Sequence, residues 1–220
     1  CSGLIFILKG EVKAGNRRLT EGGYFLPNSR QAGHISMLPG AQLAGVRLYP
    51  AAGYAFWQKN FECPTPITSL PDKSATLIEL NRTLLKSTGH FAKIRVLYLF
   101  LKNYVKSVAD MPDGLTMALL QLRTQAGLQH SAINANVGQR QLERQFQRWL
   151  AMTPKQCQRV FRVARALTSI RNNLEESLAS IAFESGFSDQ AHMTREFKQI
   201  AKISPQAYRI QQIEKQSVVV

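Results

Sequence analysis

Acidic residues are scarce in this chain: 14 Asp and Glu stand against 28 Lys and Arg in 220 residues, a formal net charge of +14. That surplus points away from cationic ligands and toward a polyanion, with nucleic acid first and an anionic membrane surface second. Long apolar runs are missing too. The longest, Val96–Leu101, has six residues, well short of the roughly 18–20 that a transmembrane helix needs. Cysteine is limited to Cys1, Cys63 and Cys157, odd in number and widely spaced. They build neither a disulfide framework nor a paired zinc motif, and a reducing cytoplasm fits them. No secretory signal is expected from these opening residues, and the start at Cys1 without a methionine raises the expectation of a missing front end.

What is present divides into three regions. Residues 1–57 hold short apolar or alternating runs, GLIFILKG, YFLPN, HISML and AQLAGVRLYP, separated by turn signals such as Ala14-Gly15-Asn16, Glu21-Gly22-Gly23 and Pro39-Gly40. This spacing predicts an antiparallel sandwich or barrel. Residues 58–76 carry Pro64, Pro66 and Pro71 and read as loop. Helices are expected near 76–87 and 90–108. In the second, Phe91, Ile94, Leu97, Leu101 and Val105 recur at helical steps, and Val96, Leu99 and Phe100 widen the stripe. So broad a stripe is covered either by its own domain or by a second subunit.

Asp110-Met111-Pro112-Asp113-Gly114 marks a boundary, and everything after it reads as helix broken by short turns. The expected fold class is α+β: an antiparallel β domain with two following helices over 1–110, then an all-α domain over 111–220.

The densest pattern lies at 180–209, SIAFESGFSDQAHMTREFKQIAKISPQAYR. Ile181 and Ala182 sit at core positions of one helix, Gly186 suits the left-handed turn that ends it, and Phe187 plugs the turn. Ser188 is a suitable N-cap for the next helix, where Met193 and Phe197 face inward. Helix, glycine turn, helix is a layout that inserts its second helix into a DNA major groove, or else a plain helical hairpin.

A fainter copy lies upstream. Shifted by 51 residues, Leu142, Arg144, Phe146, Met152, Thr153 and Pro154 match Met193, Arg195, Phe197, Ile203, Ser204 and Pro205. SAINANVG at 131–138 parallels IAFESGFS at 181–188. From Gln139 to Arg171 there are eight Lys and Arg against one acid, Glu143, so 8 − 1 = +7 locally. Two such units with this charge between them suit a phosphate backbone.

On these residues the stretch 115–213 resembles the DNA-binding domain of the AraC/XylS family of bacterial transcription regulators, and GFSDQAHMTREFKQIAKISPQAYR is similar to that family's C-terminal signature. The resemblance implies two helix-turn-helix units bridged by a long helix, reading two major-groove segments of double-stranded DNA about 34 Å apart. By position, it assigns base reading to Arg140, Glu143 and Arg144 in the first unit. In the second it assigns Gln190, Ala191, Thr194 and Arg195. Arginine suits guanine, glutamine adenine, glutamate the cytosine amine, and alanine a thymine methyl. Glu143 has a second reading, pairing along its helix with Arg140 or Gln147, and His192 reads as a packing or phosphate-side residue, with base reading as its alternative. Arg159, Arg162 and Arg165 are expected as phosphate contacts or structural support. The first unit departs from the family pattern at Ser131, Asn136 and Gly138.

The run LKGEVKAGNRRLTEGGYFLPNSRQAGHI looks like the cupin-like sensor domains that precede many such DNA-binding domains. That implies an effector site, for which Phe6, Tyr24 and His34 are candidates unless they are plain core, and a homodimer built on the helical pair, through Phe91, Ile94, Leu97, Leu101 and Val105, unless that stripe belongs to the subunit's own core. The function so implied is a cytoplasmic, sequence-specific regulator, an activator with RNA polymerase as a further partner and a small molecule as gate. An effector-independent regulator is the alternative. A cupin-type metalloenzyme would need clustered His and Glu ligands, and His34 is the only histidine of the β region. A DNA-repairing adaptor would need clustered cysteines. No enzyme activity, metal or cofactor is therefore expected.

Overall fold

The computed structural model describes residues 2–33, 35–105, 111–123 and 138–217. His34, Ser131 and Asn136 lie outside them, as does the side chain of Val105. The chain forms two compact units, one of 1–29, 33–111 and 148–151 and one of 30–32, 112–147 and 152–220.

In the first unit, β1 (Gly3–Lys9) is the spine of a four-stranded antiparallel sheet. It pairs with β4 (Gly22–Leu26) on one side and β6 (Gln42–Arg47) on the other. Strand β7 (Thr65–Pro66) extends the β4 edge. A second sheet joins β2 (Val12–Ala14), β3 (Arg17–Leu19) and β5 (Ile35–Met37) in the order β3-β2-β5. The β2–β3 hairpin was not expected: its strands are three residues each, and Arg17 and Arg18 face solvent, so they show no apolar alternation.

Period-two alternation sends the two faces of β1 to different cores. Leu4, Phe6 and Leu8 join Phe25, Phe56, Trp57 and the helices, whereas Ile5 and Ile7 join Val12 and Leu19 of the second sheet. Phe6 and Tyr24 accordingly lie on opposite faces of one sheet, Phe6 in the helix-side cluster and Tyr24 in the other. They do not line a common cavity. Phe6 sits opposite Gly23, where a Cβ would fall 2.7 Å from Ile67 and 2.9 Å from the Phe6 ring. A side chain at position 23 would collide with that ring, and the glycine leaves room for it.

Short α1 (Ala52–Trp57) follows β6. Helix α2 (Pro71–Lys86) starts earlier than the expected 76, because Pro71 occupies the first helical turn instead of ending a loop. Its Leu77, Leu80 and Leu84 are buried at helical spacing against β1 and β4. Each such leucine contributes roughly 1.5–3 kcal/mol of transfer free energy. Helix α3 (His90–Val105) packs on α2 and β6. Leu97 is part of the unit's own core, with Val96, Phe100 and Leu101 packed partly against it. The apolar residues left outside are Phe91, Ile94, Tyr98 and Leu99, Phe91 being 90% exposed. The expected single face therefore divides: Phe91 and Ile94 point outward, while Leu97 and Leu101 point inward.

The second unit contains α4 (Asp113–Arg123), α5 (Gln139–Leu150) as far as Gln147, α6 (Pro154–Asn172), α7 (Leu178–Glu184), α8 (Gln190–Ala201) and α9 (Pro205–Ser217). Val163, Ala166 and Ile170 of α6 pack with Ile181 and Ala182 of α7, Phe187 of the turn, and Met193 and Phe197 of α8. Among the described residues, no helix is long and apolar enough to cross a membrane.

Candidate nucleic-acid interface

The turn between α7 and α8 is made by its own backbone. Gly186 has φ +84°, its N–H donates to the Phe183 carbonyl at 3.0 Å, and the Phe187 N–H reaches Ala182 at 2.9 Å. These two bonds satisfy the last carbonyls of α7, and the buried Phe187 ring fixes the angle of the chain leaving it. The N-cap of α8 is Asp189, one residue beyond the expected Ser188. Its carboxylate accepts from the His192 N–H at 2.6 Å, and the Ser188 hydroxyl donates to its other oxygen at 3.1 Å. That backbone N–H foremost, with the Ser188 hydroxyl and the charge of Arg195, holds the Asp189 carboxyl below its ordinary value.

Capping fixes which side of α8 looks outward. Met193 and Phe197 are fully buried, and Gln190, Ala191 and Arg195 are exposed. Thr194 is half-buried, and its hydroxyl donates to the Gln190 carbonyl at 2.8 Å. Toward a base it therefore offers its methyl group and its oxygen lone pairs. His192 stands edge-on to Phe187, ring centroids 5.5 Å apart, and its Nδ1 accepts from the Ser188 N–H at 3.4 Å. The packing reading of His192 matches this geometry.

Helix α5 presents the same arrangement. Leu142 and Phe146 are buried, while Arg140, Glu143 and Arg144 are exposed. Glu143 accepts from Gln139 Nε2 at 3.2 Å, a partner neither of its expected readings named. The carbonyl of Gly138 receives the N–H groups of Gln141 and Leu142, so the glycine serves as the helix start. At the far end Thr153 and Gln156 form a reciprocal capping box, at 3.2 and 3.0 Å, over the first turn of α6. Ser204 caps α9 with a single bond, its hydroxyl accepting from the Ala207 N–H at 3.1 Å.

The arginines of α6 turn toward the protein. Arg159 Nε donates to Glu196 Oε1 at 2.7 Å, and Arg162 donates to Glu196 Oε2 at 3.2 Å. Arg165 spans two helix ends, donating to the Leu122 carbonyl of α4 at 2.8 Å and the Ser185 carbonyl of α7 at 3.0 Å. Burial, with the charge of Arg162 beside it, lowers the Arg165 pKa from the ordinary arginine value. All three side chains thus have internal partners, which is the support half of their expected role. Glu196 itself escaped the sequence reading, because its partners lie 34 and 37 residues away. Cys157 is buried on α6, and desolvation pushes its thiol up to about 12, leaving it unreactive. Among the described residues, no three His, Cys, Asp or Glu side chains are grouped to hold a metal ion.

Residues 132–211 match the model of a helix-turn-helix domain family. No curated protein matches the chain. Among solved structures, a transcriptional regulator with an AraC-type DNA-binding domain from Chromobacterium violaceum is 26% identical, covering 45% of this chain and 91% of its own, with a TM-score of 0.42. ToxT from Vibrio cholerae aligns over 95% of this chain and 89% of its own at 12% identity, TM-score 0.54. ToxT bound to (E)-4-(8-methylnaphthalen-1-yl)but-3-enoic acid gives 12% identity and a TM-score of 0.53 over 96% of this chain and 90% of its own. The ToxT likeness extends to the α+β fold of nearly the whole chain. The signature residues 186–209 sit on a capped helix-turn-helix inside the family match over 132–211, so the C-terminal domain is a helix-turn-helix domain whose signature resembles that of AraC/XylS regulators.

Proposed function

We propose that the protein is a sequence-specific regulator whose α5 and α8 read two successive major-groove segments. The observation carrying this reading is the structural repeat: each helix buries its Leu142/Phe146 or Met193/Phe197 pair and turns its polar face outward. Arg140, Glu143 and Arg144 read one segment, and Gln190, Ala191, Thr194 and Arg195 the other. Selection of bound duplexes from a random-sequence library tests this. Two conserved motifs about 10 base pairs apart are expected, and unselected recovery would refute the reading.

The finer points of the same proposal are activation through contact with RNA polymerase, a cytoplasmic site of action and a homodimer. For the dimer, Phe91 and Ile94 stay outward and Tyr98 joins them, whereas Leu97 and Leu101 belong to the unit's own core. A ToxT structure with an unsaturated fatty acid bound supports an apolar carboxylic acid as the class of effector to test here. Effector-independent binding is the second reading, favoured by the closed packing of Phe6 against Gly23 and Ile67. Measuring duplex affinity with and without added long-chain fatty acid separates the two.

A further inference from the structure

Glu196 is the one buried charged residue among the described residues. Its side chain is 10% exposed and lies between two guanidiniums, Arg159 at 32% and Arg162 at 18%. Both arginines come from one face of α6, three residues apart, and both bonds land on α8. A second rung runs beside them, from Arg159 Nη2 to the Gln199 side-chain oxygen. Burying a carboxylate costs several kcal/mol of desolvation even when it is paired, and well-packed apolar residues often serve stability as well. Stability alone therefore does not account for a charge here. What the two rungs provide is direction: they fix the rotation of α8 about its axis, and Arg195, the outward residue next in the chain, turns with it.

The charges have a second consequence. Arg159 and Arg162 adjoin the helix proposed to enter the groove, and every cation free to neutralise a phosphate raises affinity for any sequence. Their forks are occupied by Glu196, which also offsets one of their two charges. We infer that Glu196 is a specificity-determining positioning residue that orients α8 on α6 and withholds Arg159 and Arg162 from the DNA backbone. This rests on the proposal that α8 reads bases.

The test compares Glu196→Gln with the wild type on two probes, a random-sequence duplex and the duplex that the wild type enriches from a random library. Circular dichroism and thermal melting establish that the variant is folded. The ratio of enriched to random affinity should fall by about tenfold or more, with base preference relaxed only in the motif assigned to α8. On random duplex the salt dependence should steepen by roughly one to two units, as the released arginines reach phosphates. Equal losses on both probes, or an unchanged salt slope, would overturn the inference. If Glu196→Gln does not fold, Glu196→Asp decides. It keeps the charge on a shorter arm, so specificity should drop while the slope stays as in the wild type, and parallel losses overturn the inference. A wild type that enriches no duplex refutes the base-reading proposal itself, a failure visible before any variant is made.

Discussion

Ala151 and Lys202, 51 residues apart, hold the same left-handed backbone, with φ of 54° and 62°. Each follows one of the two repeated helices, α5 or α8, and precedes a capped helix that opens with proline. Neither is glycine, although a side chain in this region is disfavoured by roughly 1–2 kcal/mol. Replacing Lys202 with glycine is therefore expected to stabilise the second unit by about 0.5–1 kcal/mol, after the extra entropy of the unfolded chain is counted. Lys202→Ala should gain nothing. Thermal or urea unfolding checks this, and a less stable Lys202→Gly would mean that the lysine side chain itself holds the helix end.

The cap of α8 is expected to be acid-sensitive. The Asp189 carboxyl titrates below its ordinary 3.8, so its stabilising contribution is present above that value. It is lost as pH falls through the lower folded-state value. Asp189→Asn keeps an acceptor for the His192 N–H without the charge. The stability difference between wild type and Asp189→Asn should accordingly be constant near neutrality and shrink below about pH 4. A difference that persists unchanged at low pH would show that the carboxylate is not what the helix end responds to.

Helix α3 offers a test of assembly that separates core from surface. Ile94 and Tyr98 are each 61% exposed, whereas Leu97 is 9% exposed in the core. Ile94→Glu with Tyr98→Glu should leave a folded protein that sediments as a monomer, because like charges would meet across a two-fold interface. Leu97→Glu should instead cost ~3 kcal/mol or more by burying an unpaired charge. Wild type that is already monomeric at micromolar concentration would contradict the dimer.

The α7–α8 unit could be read from the sequence because every local signal agrees: Gly186 at the turn, Phe187 behind it, and Met193 and Phe197 four apart. Elsewhere local pattern and tertiary packing diverge. The run VLYLFL is apolar on all sides of its helix, so periodicity could not tell that Leu97 goes inward and Ile94 outward. Phe6 and Tyr24 looked alike as pocket residues, but strand parity and the β1–β4 register put them on opposite faces. The Glu196 network is invisible in sequence because a surface acid and a buried one are the same letter. Only the crossing of α6 and α8 makes its two arginines neighbours.

The proposed function has two equivalent helices read two separate stretches of DNA, Arg144 in one and Arg195 in the other. The most direct measurement is the base preference of Arg144→Ala and Arg195→Ala, each scored at every position of the duplex the wild type selects. Each change should cost about 1–3 kcal/mol on that duplex and spare most of the random-duplex affinity. Each should also relax preference in one motif only, and the two motifs should differ. Equal losses on selected and random DNA, or both substitutions relaxing the same positions, would contradict two-segment reading.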